Sequence, residues 1–160
     1  MRKVTIMAQT EEGVGKAWSL IINIENIFKL AKFVRKVSIN EPIREGAEFY
    51  DVTGILWIPM PIKHKITKIK KNEKFIMEAD LPLKSGKMFQ ALSVKDKGRY
   101  REIEMEIKFK IDFPVFDMII GPILEIRLKQ MIIETFRNIE NYMNKQERTG
   151  KIRFNKIIEK

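Results

Sequence analysis

From Glu102 to Ile111 the chain alternates without a break. Ile103, Met105, Ile107, Phe109 and Ile111 occupy one set of positions, and Glu102, Glu104, Glu106, Lys108 and Lys110 the other. Successive side chains of a strand leave on opposite faces, so this stretch is a β-strand with one apolar face and one charged face. Counted from Arg101 it is about 36 Å long at 3.3 Å per residue. An apolar face of that length must be covered, and what can cover it constrains the rest of the chain.

Further strand signals fall at residues 3–9, 34–40, 47–57, 62–70, 74–80 and 87–95, with the last strand at 99–111. The breaks between the later ones are Glu45-Gly46, Pro59-Met60-Pro61, Lys71-Asn72, Ser85-Gly86 and Lys97-Gly98, all rich in turn-forming residues. Links this short join antiparallel neighbours, so the chain predicts a seven-stranded meander. After the first strand, Thr10 is placed to open a helix, with Glu11 and Glu12 suited to its positive end. Val14, Ala17, Trp18, Ile21 and Ile22 recur at helical spacing. A break at residues 23–26 precedes a second short helix carrying Ile27, Phe28, Leu30 and Ala31.

The period then changes to that of a helix. From Pro122 to about Asn144, Leu124, Leu128, Met131, Ile132, Phe136, Ile139 and Met143 fall on one side. Pro122 suits a first helical turn. Such a helix is about 33 Å long, which matches the apolar face of the 101–111 strand. The expected class is α+β: a curved antiparallel sheet wrapped around the last helix, with two short helices after the first strand.

Composition narrows the function classes. At 160 residues one domain is expected. With no cysteine and one histidine there is no disulfide, no thiol nucleophile and no ligand set for zinc, so no metal ion or other cofactor is expected. The start meets Glu11 and Glu12 before any long apolar run, unlike a signal peptide, and no stretch reaches the roughly 18 apolar residues of a membrane span, so a cytoplasmic protein is expected.

Several landmarks occur in a telling order. Ala17-Trp18-Ser19-Leu20-Ile21 lies in the first helix, Val34-Arg35-Lys36-Val37 enters the second strand, and Gly46 opens the third. Gly121-Pro122-Ile123-Leu124 leads into the last helix, which closes on Asn138-Ile139-Glu140-Asn141. Over about residues 3–144 this resembles the helix-grip fold of the START/polyketide-cyclase/pollen-allergen (SRPBCC) superfamily. The resemblance implies a helix-grip ligand-binding domain at residues 1–146, followed by a basic C-terminal extension at 147–160. It also implies a cavity between sheet and long helix that takes hydrophobic or amphipathic small molecules, such as lipids, polyketides or isoprenoid-like compounds.

Within that frame the inward faces supply candidate cavity residues. His64 shares its strand face with Ile62 and Ile66, and could orient a carboxylate, carbonyl or hydroxyl. Gln90 sits among Met88, Leu92 and Val94. Arg101, Met105, Ile107 and Phe109 follow along the last strand, and Leu128 and Met131 face them from the helix. Met7, Met77, Met88, Met105, Met118 and Met131 are flexible, polarizable side chains suited to a wall of loose specificity, although plain core filling explains them equally well. Asp51, on the face of Phe49 and Thr53, needs a partner if buried, and Arg101 is one candidate. An inward Arg101 would favour an anionic head group. The apolar, proline-bracketed stretch from Phe113 to Pro122, with Phe116 and Ile119, reads as a gate at the cavity mouth, with a plug of packed side chains or a dimer contact as the alternatives.

No residue is assigned as catalytic. Gly13-Val14-Gly15-Lys16 fails as a phosphate loop, because Thr10 stands where the first glycine is needed and Ala17 where Ser or Thr is needed. No nucleophile elbow accompanies His64. The net charge of +10 raises nucleic acid as a partner. Lysines 63, 65, 68, 70, 71 and 74 form one cluster, and residues 144–160 another, with six Lys/Arg against two Glu, or +4 of the total. Neither cluster interleaves aromatic residues as a single-strand platform does, so nucleic acid is not favoured. The basic tail, Lys151 to Ile158, could add a strand, dock a helix turn, touch a partner or an anionic membrane surface, or stay disordered. The sequence thus favours carriage of a hydrophobic small molecule. The alternatives are a cyclase, aromatase or dehydratase using the same cavity with His64 as acid or base, and a basic surface-binding module.

Abundant Ile, Lys and Glu without cysteine resembles hyperthermophile usage. We therefore expect a melting midpoint above about 60 °C, beyond most mesophile domains. A calorimetric midpoint below that value would remove the thermophile reading.

Overall fold

The computed structural model describes residues 1–54, 58–145 and 152–160. The elements run β1 (Arg2–Thr10), α1 (Val14–Ile22), α2 (Ile24–Leu30), β2 (Val34–Ser38), β3 (Glu48–Thr53), β4 (Met60–Lys70) and β5 (Lys74–Asp80). A 3-10 turn at Pro82–Lys84 follows, then β6 (Gly86–Asp96), β7 (Arg101–Ile111), α3 (Pro114–Lys145) and β8 (Lys156–Glu159). The strands form one sheet in the order β2-β3-β4-β5-β6-β7-β1-β8. All pairings are antiparallel.

The alternation of β7 decides the layers. Ile103, Ile107 and Phe109 are buried in one core with Val4, Ile6 and Ala8 of β1 and with Leu128, Ile132 and Phe136 of α3. α3 thus lies along the apolar face of the sheet, and the fold is the α+β helix-grip arrangement. The opposite face of β7 is less wet than alternation implies: Glu102 is buried, and Lys160 reaches Glu104 at 2.8 Å and Glu102 at 3.7 Å. Burial pushes the Glu104 carboxyl upward, but hydrogen bonds and charge from Lys160 and Lys95 outweigh it and hold the group below its ordinary range.

Four boundaries differ from the sequence expectation. Thr10 does not cap α1; it is the buried last residue of β1, and its Oγ1 accepts from the Glu12 N–H at 3.3 Å. α1 begins later, with Gly13 at its cap and no side-chain cap. The strand expected over residues 47–57 is described only as Glu48–Thr53, and residues 55–57 lie outside the described residues. The sheet has eight strands rather than seven, because the tail returns to pair Gln9 with Lys156 through Ile6 with Glu159. Ile152 and Phe154 are buried, the latter edge-on to Phe136 at 5.4 Å, so the described part of the tail is spent on the fold; Arg148 and Lys151 lie outside the described residues.

The largest difference is at α3, which starts at Pro114 and contains Pro122. Pro114 takes the first-turn position that Pro122 was expected to hold. At 32 residues α3 is about 48 Å long. The apolar stretch read as a gate is therefore helix, with Val115, Met118, Ile119, Ile123 and Ile126 exposed on its outer side. Gly121 gives the opposite side room for Arg2. A Cβ there would lie 2.2 Å from the Arg2 Nε, and that guanidinium bonds the Asp117 carboxylate and carbonyl, each at 3.1 Å. The contact pins the start of α3 to β1.

Gly86 is a position where only glycine fits without moving backbone. Its φ is +155°, and an added Cβ would stand 1.8 Å from the Lys110 carbonyl oxygen across the β6–β7 ladder. Gly86→Ala is expected to cost about 3 kcal/mol or more, since backbone on both sides must move. Chemical denaturation of the variant checks this.

Candidate functional site

β3 and β4 carry the polar centre of the molecule. Phe49, Asp51 and Thr53 are buried on β3; Ile62, His64 and Ile66 are buried on β4. Register sets Phe49 opposite His64 and Asp51 opposite Ile62, which makes Asp51 and His64 diagonal neighbours on the inward face. His64 Nε2 and Asp51 Oδ2 are 2.7 Å apart, with the side chains 1% and 3% exposed. The imidazole stacks on Phe49 at 4.7 Å with a 9° angle between planes, and meets the edge of Phe28 at 5.2 Å. His64 Nδ1 and Asp51 Oδ1 are buried without a hydrogen-bond partner.

The pair lines an inner cavity of about 50 Å³ between the sheet and α3. Around it the structure brings together Met77, Met88, Gln90 and Leu92 from β5 and β6, Met105 and Ile107 from β7, and Leu128 and Met131 from α3. An outer apolar groove of about 200 Å³ adjoins it, bordered by Leu81, Leu83, Ile111, Phe116, Ile120 and Leu124. Thr53, Ile62, Met88 and Leu128 line both spaces and form the partition between them. Leu83, at 98% exposure, and Phe116 stand at the outer rim.

Five residues expected in the wall lie elsewhere. Ile66 and Phe109 are closed into the packed core, at 1% and 0% exposure. Ile119 faces outward, because α3 begins two turns earlier than expected and turns it away from the sheet. Arg101 sits at the start of β7 with Nε 3.4 Å from Asp96 Oδ1, so it partners Asp96 and not Asp51. Phe116 borders the groove rather than the inner cavity.

The sequence reading missed the contribution of α2 and its exit. Ile27, Phe28, Ala31 and Val34 close one side of the cavity, and Thr135 closes another. Thr135 follows Leu128 by seven residues, two helical turns, and that spacing could have found it. Its hydroxyl donates to the Met131 carbonyl at 2.7 Å, and Thr53 donates to the Phe33 carbonyl at 3.3 Å. Among the described residues no cluster of His, Asp or Glu could hold a metal ion, and no helix is long and apolar enough to cross a membrane.

No family model and no curated protein matches the chain. Solved structures do. Norcoclaurine synthase from Thalictrum flavum superposes with a TM-score of 0.70 at 12% identity, over 91% of this chain and 88% of that one. A START superfamily protein from Mycobacterium smegmatis gives 0.69 at 10% identity, over 89% and 97%. The major latex-like protein of Panax ginseng gives 0.62 at 12% identity, over 88% and 97%. The chain has the helix-grip fold of the START/polyketide-cyclase/pollen-allergen superfamily. At these identities the likeness is one of fold.

The buried pair generates a stability prediction. Asp51→Leu alone strands His64 without its partner and is expected to cost about 3 kcal/mol. The double variant His64→Phe/Asp51→Leu removes both polar groups and keeps the ring stack, so it should return to within about 1 kcal/mol of wild type. Denaturant titration of the single and double variants measures both values.

Proposed function

We propose that this protein binds and carries a hydrophobic or amphipathic small molecule between the sheet and α3. The observation that carries the reading is the pair of adjoining apolar spaces separated only by side chains. The inner one is too small for a typical ligand, whose sites run to about 300–1,000 Å³. Met88, a side chain with three rotatable bonds, is part of the partition, so rotation there joins the inner cavity to the groove without backbone rearrangement. Met77, Met105 and Met131 supply further adjustable wall. Leu83 and Phe116 mark the entrance.

The fold supports the reading by analogy: the crystal structure of norcoclaurine synthase holds dopamine and hydroxybenzaldehyde. The hydrogen-bonded His64–Asp51 pair favours a second reading, an enzyme of cyclase, aromatase or dehydratase type in which the imidazole moves a proton. The clustered lysines give less support to a nucleic-acid role. Lys63 pairs with Glu48 and Lys70 with Glu73, both at 2.6 Å, which spends part of that charge locally.

Native mass spectrometry of the purified protein, followed by organic extraction, tests the carrier reading. We expect a reproducible small-molecule adduct that disappears on extraction. A clean apo mass that persists after incubation with cell lipid extract would count against it. Chemical conversion of the extracted ligand when it is returned to the protein would move the assignment to the enzyme.

A further inference from the structure

We propose that the outer face of the first half of α3 is the contact through which two copies of this chain pair about a two-fold axis. Pairing of this kind is independent of what the cavity holds.

Val115, Ile119, Pro122, Ile123 and Ile126 recur at three- and four-residue spacing, so they share one side of the helix over about 17 Å. Phe116 and Met118 flank them. Pro122 is exposed, and the other six are 39% to 70% exposed. α3 packs against β1, β7, α2 and β8, and the stripe is what those contacts leave open. Together with Phe113 these residues leave about 800 Å² in water. That exceeds the roughly 300–600 Å² of the largest apolar patch on a typical monomer, and is comparable to what one partner of a standard interface buries.

The stripe carries no charge. Between Phe113 and Ile126 the charged residues are Asp117 and Glu125, and Arg2 of β1 holds both, at 3.1 and 3.5 Å. Two copies of a chain with net charge +10 repel one another. A neutral apolar face is where burial can outweigh that repulsion.

The rim favours a second copy over a bilayer. An anionic bilayer surface attracts clusters of free basic side chains. Here Lys110 pairs with Asp112 at 3.2 Å, Lys129 pairs with Glu159 at 2.6 Å, and Arg127 lies over the Phe33 ring at 6.0 Å. Lys84 is exposed across the groove from Phe116, but one base is not a cluster.

The stripe is also complementary to itself. An antiparallel pairing with its axis near Ile119 and Pro122 sets the Val115 end of each stripe against the Ile126 end of the other. Phe116, which borders the outer groove, then lies at the margin of the contact.

Sedimentation velocity over about 1–100 μM tests the pairing. We expect a species of twice the 18.9 kDa chain mass, in concentration-dependent exchange with monomer. Ile119→Glu/Ile126→Glu should weaken the dimer about a hundredfold or more, since it buries charge at the centre of the contact. Its circular dichroism should match wild type, because both side chains face water in the single copy. The chain has no cysteine, so Ile119→Cys gives one thiol per copy. A short bismaleimide should join two copies of that variant and fail to join Lys36→Cys, which sits on β2. A monomer at every concentration, a dimer that survives the double substitution, or equal cross-linking of the two cysteine variants would each overturn the proposal. Flotation of the protein with phosphatidylcholine/phosphatidylserine vesicles, lost in the double variant, would assign the stripe to a lipid surface and overturn it too.

Discussion

The pairing of β1 with β7 is the constraint on which the rest depends. It runs over nine residues, from Arg2 opposite Phe109 to Thr10 opposite Arg101. It joins the start of the chain to the end of the meander, so α1 and α2 lie at one end of the sheet and the chain leaves β7 directly into α3. Val4, Ile6 and Ala8 extend the apolar surface begun by Ile103, Ile107 and Phe109, and α3 lies along the combined face. Arg2, Asp117 and the space at Gly121 then lock the helix start to the strand that created its bed.

That same face accommodates a buried polar pair because neighbouring strands supply both halves. A lone inward His or Asp in this sheet would be an uncompensated group. On adjacent strands, two residues apart in register and so on the same face, each removes much of the other's desolvation cost, and Phe49 and Phe28 fix the imidazole plane. The pair is held by a hydrogen bond and two aromatic contacts, whereas the methionines around it are unbranched side chains with three rotatable bonds.

The sheet was legible in the sequence because alternation of period two is a local signal. Ile103 to Ile111 declared its apolar face, and the turns at Lys71-Asn72 and Lys97-Gly98 declared the meander. Alternation also placed Asp51 and His64 inward, but it says nothing of which strand residues stand side by side, and so Arg101 was as good a partner on paper. The start of α3 was hidden because two prolines eight residues apart both suit a first turn, and Asp117 is the one polar residue between them. A single polar residue in two helical turns carries too little phase to read. A strand in the tail was one of several open readings: four residues, Lys156–Glu159, are too few to show a period, and the open edge of β1 decides for a strand.

β8 also changes how the sheet ends. Without it, the nine residues of β1 would form a long exposed rim with unpaired backbone groups. With it, the outermost strands are β2, five residues with a register shift between Val34 and Lys36, and β8, four residues beginning at Lys156. Short, irregular and lysine-bearing borders offer a poor template to a strand from another molecule. The short C-terminal strand is thus a device of solubility: it spares a protein built on one large sheet from adding strands of its neighbours at that side.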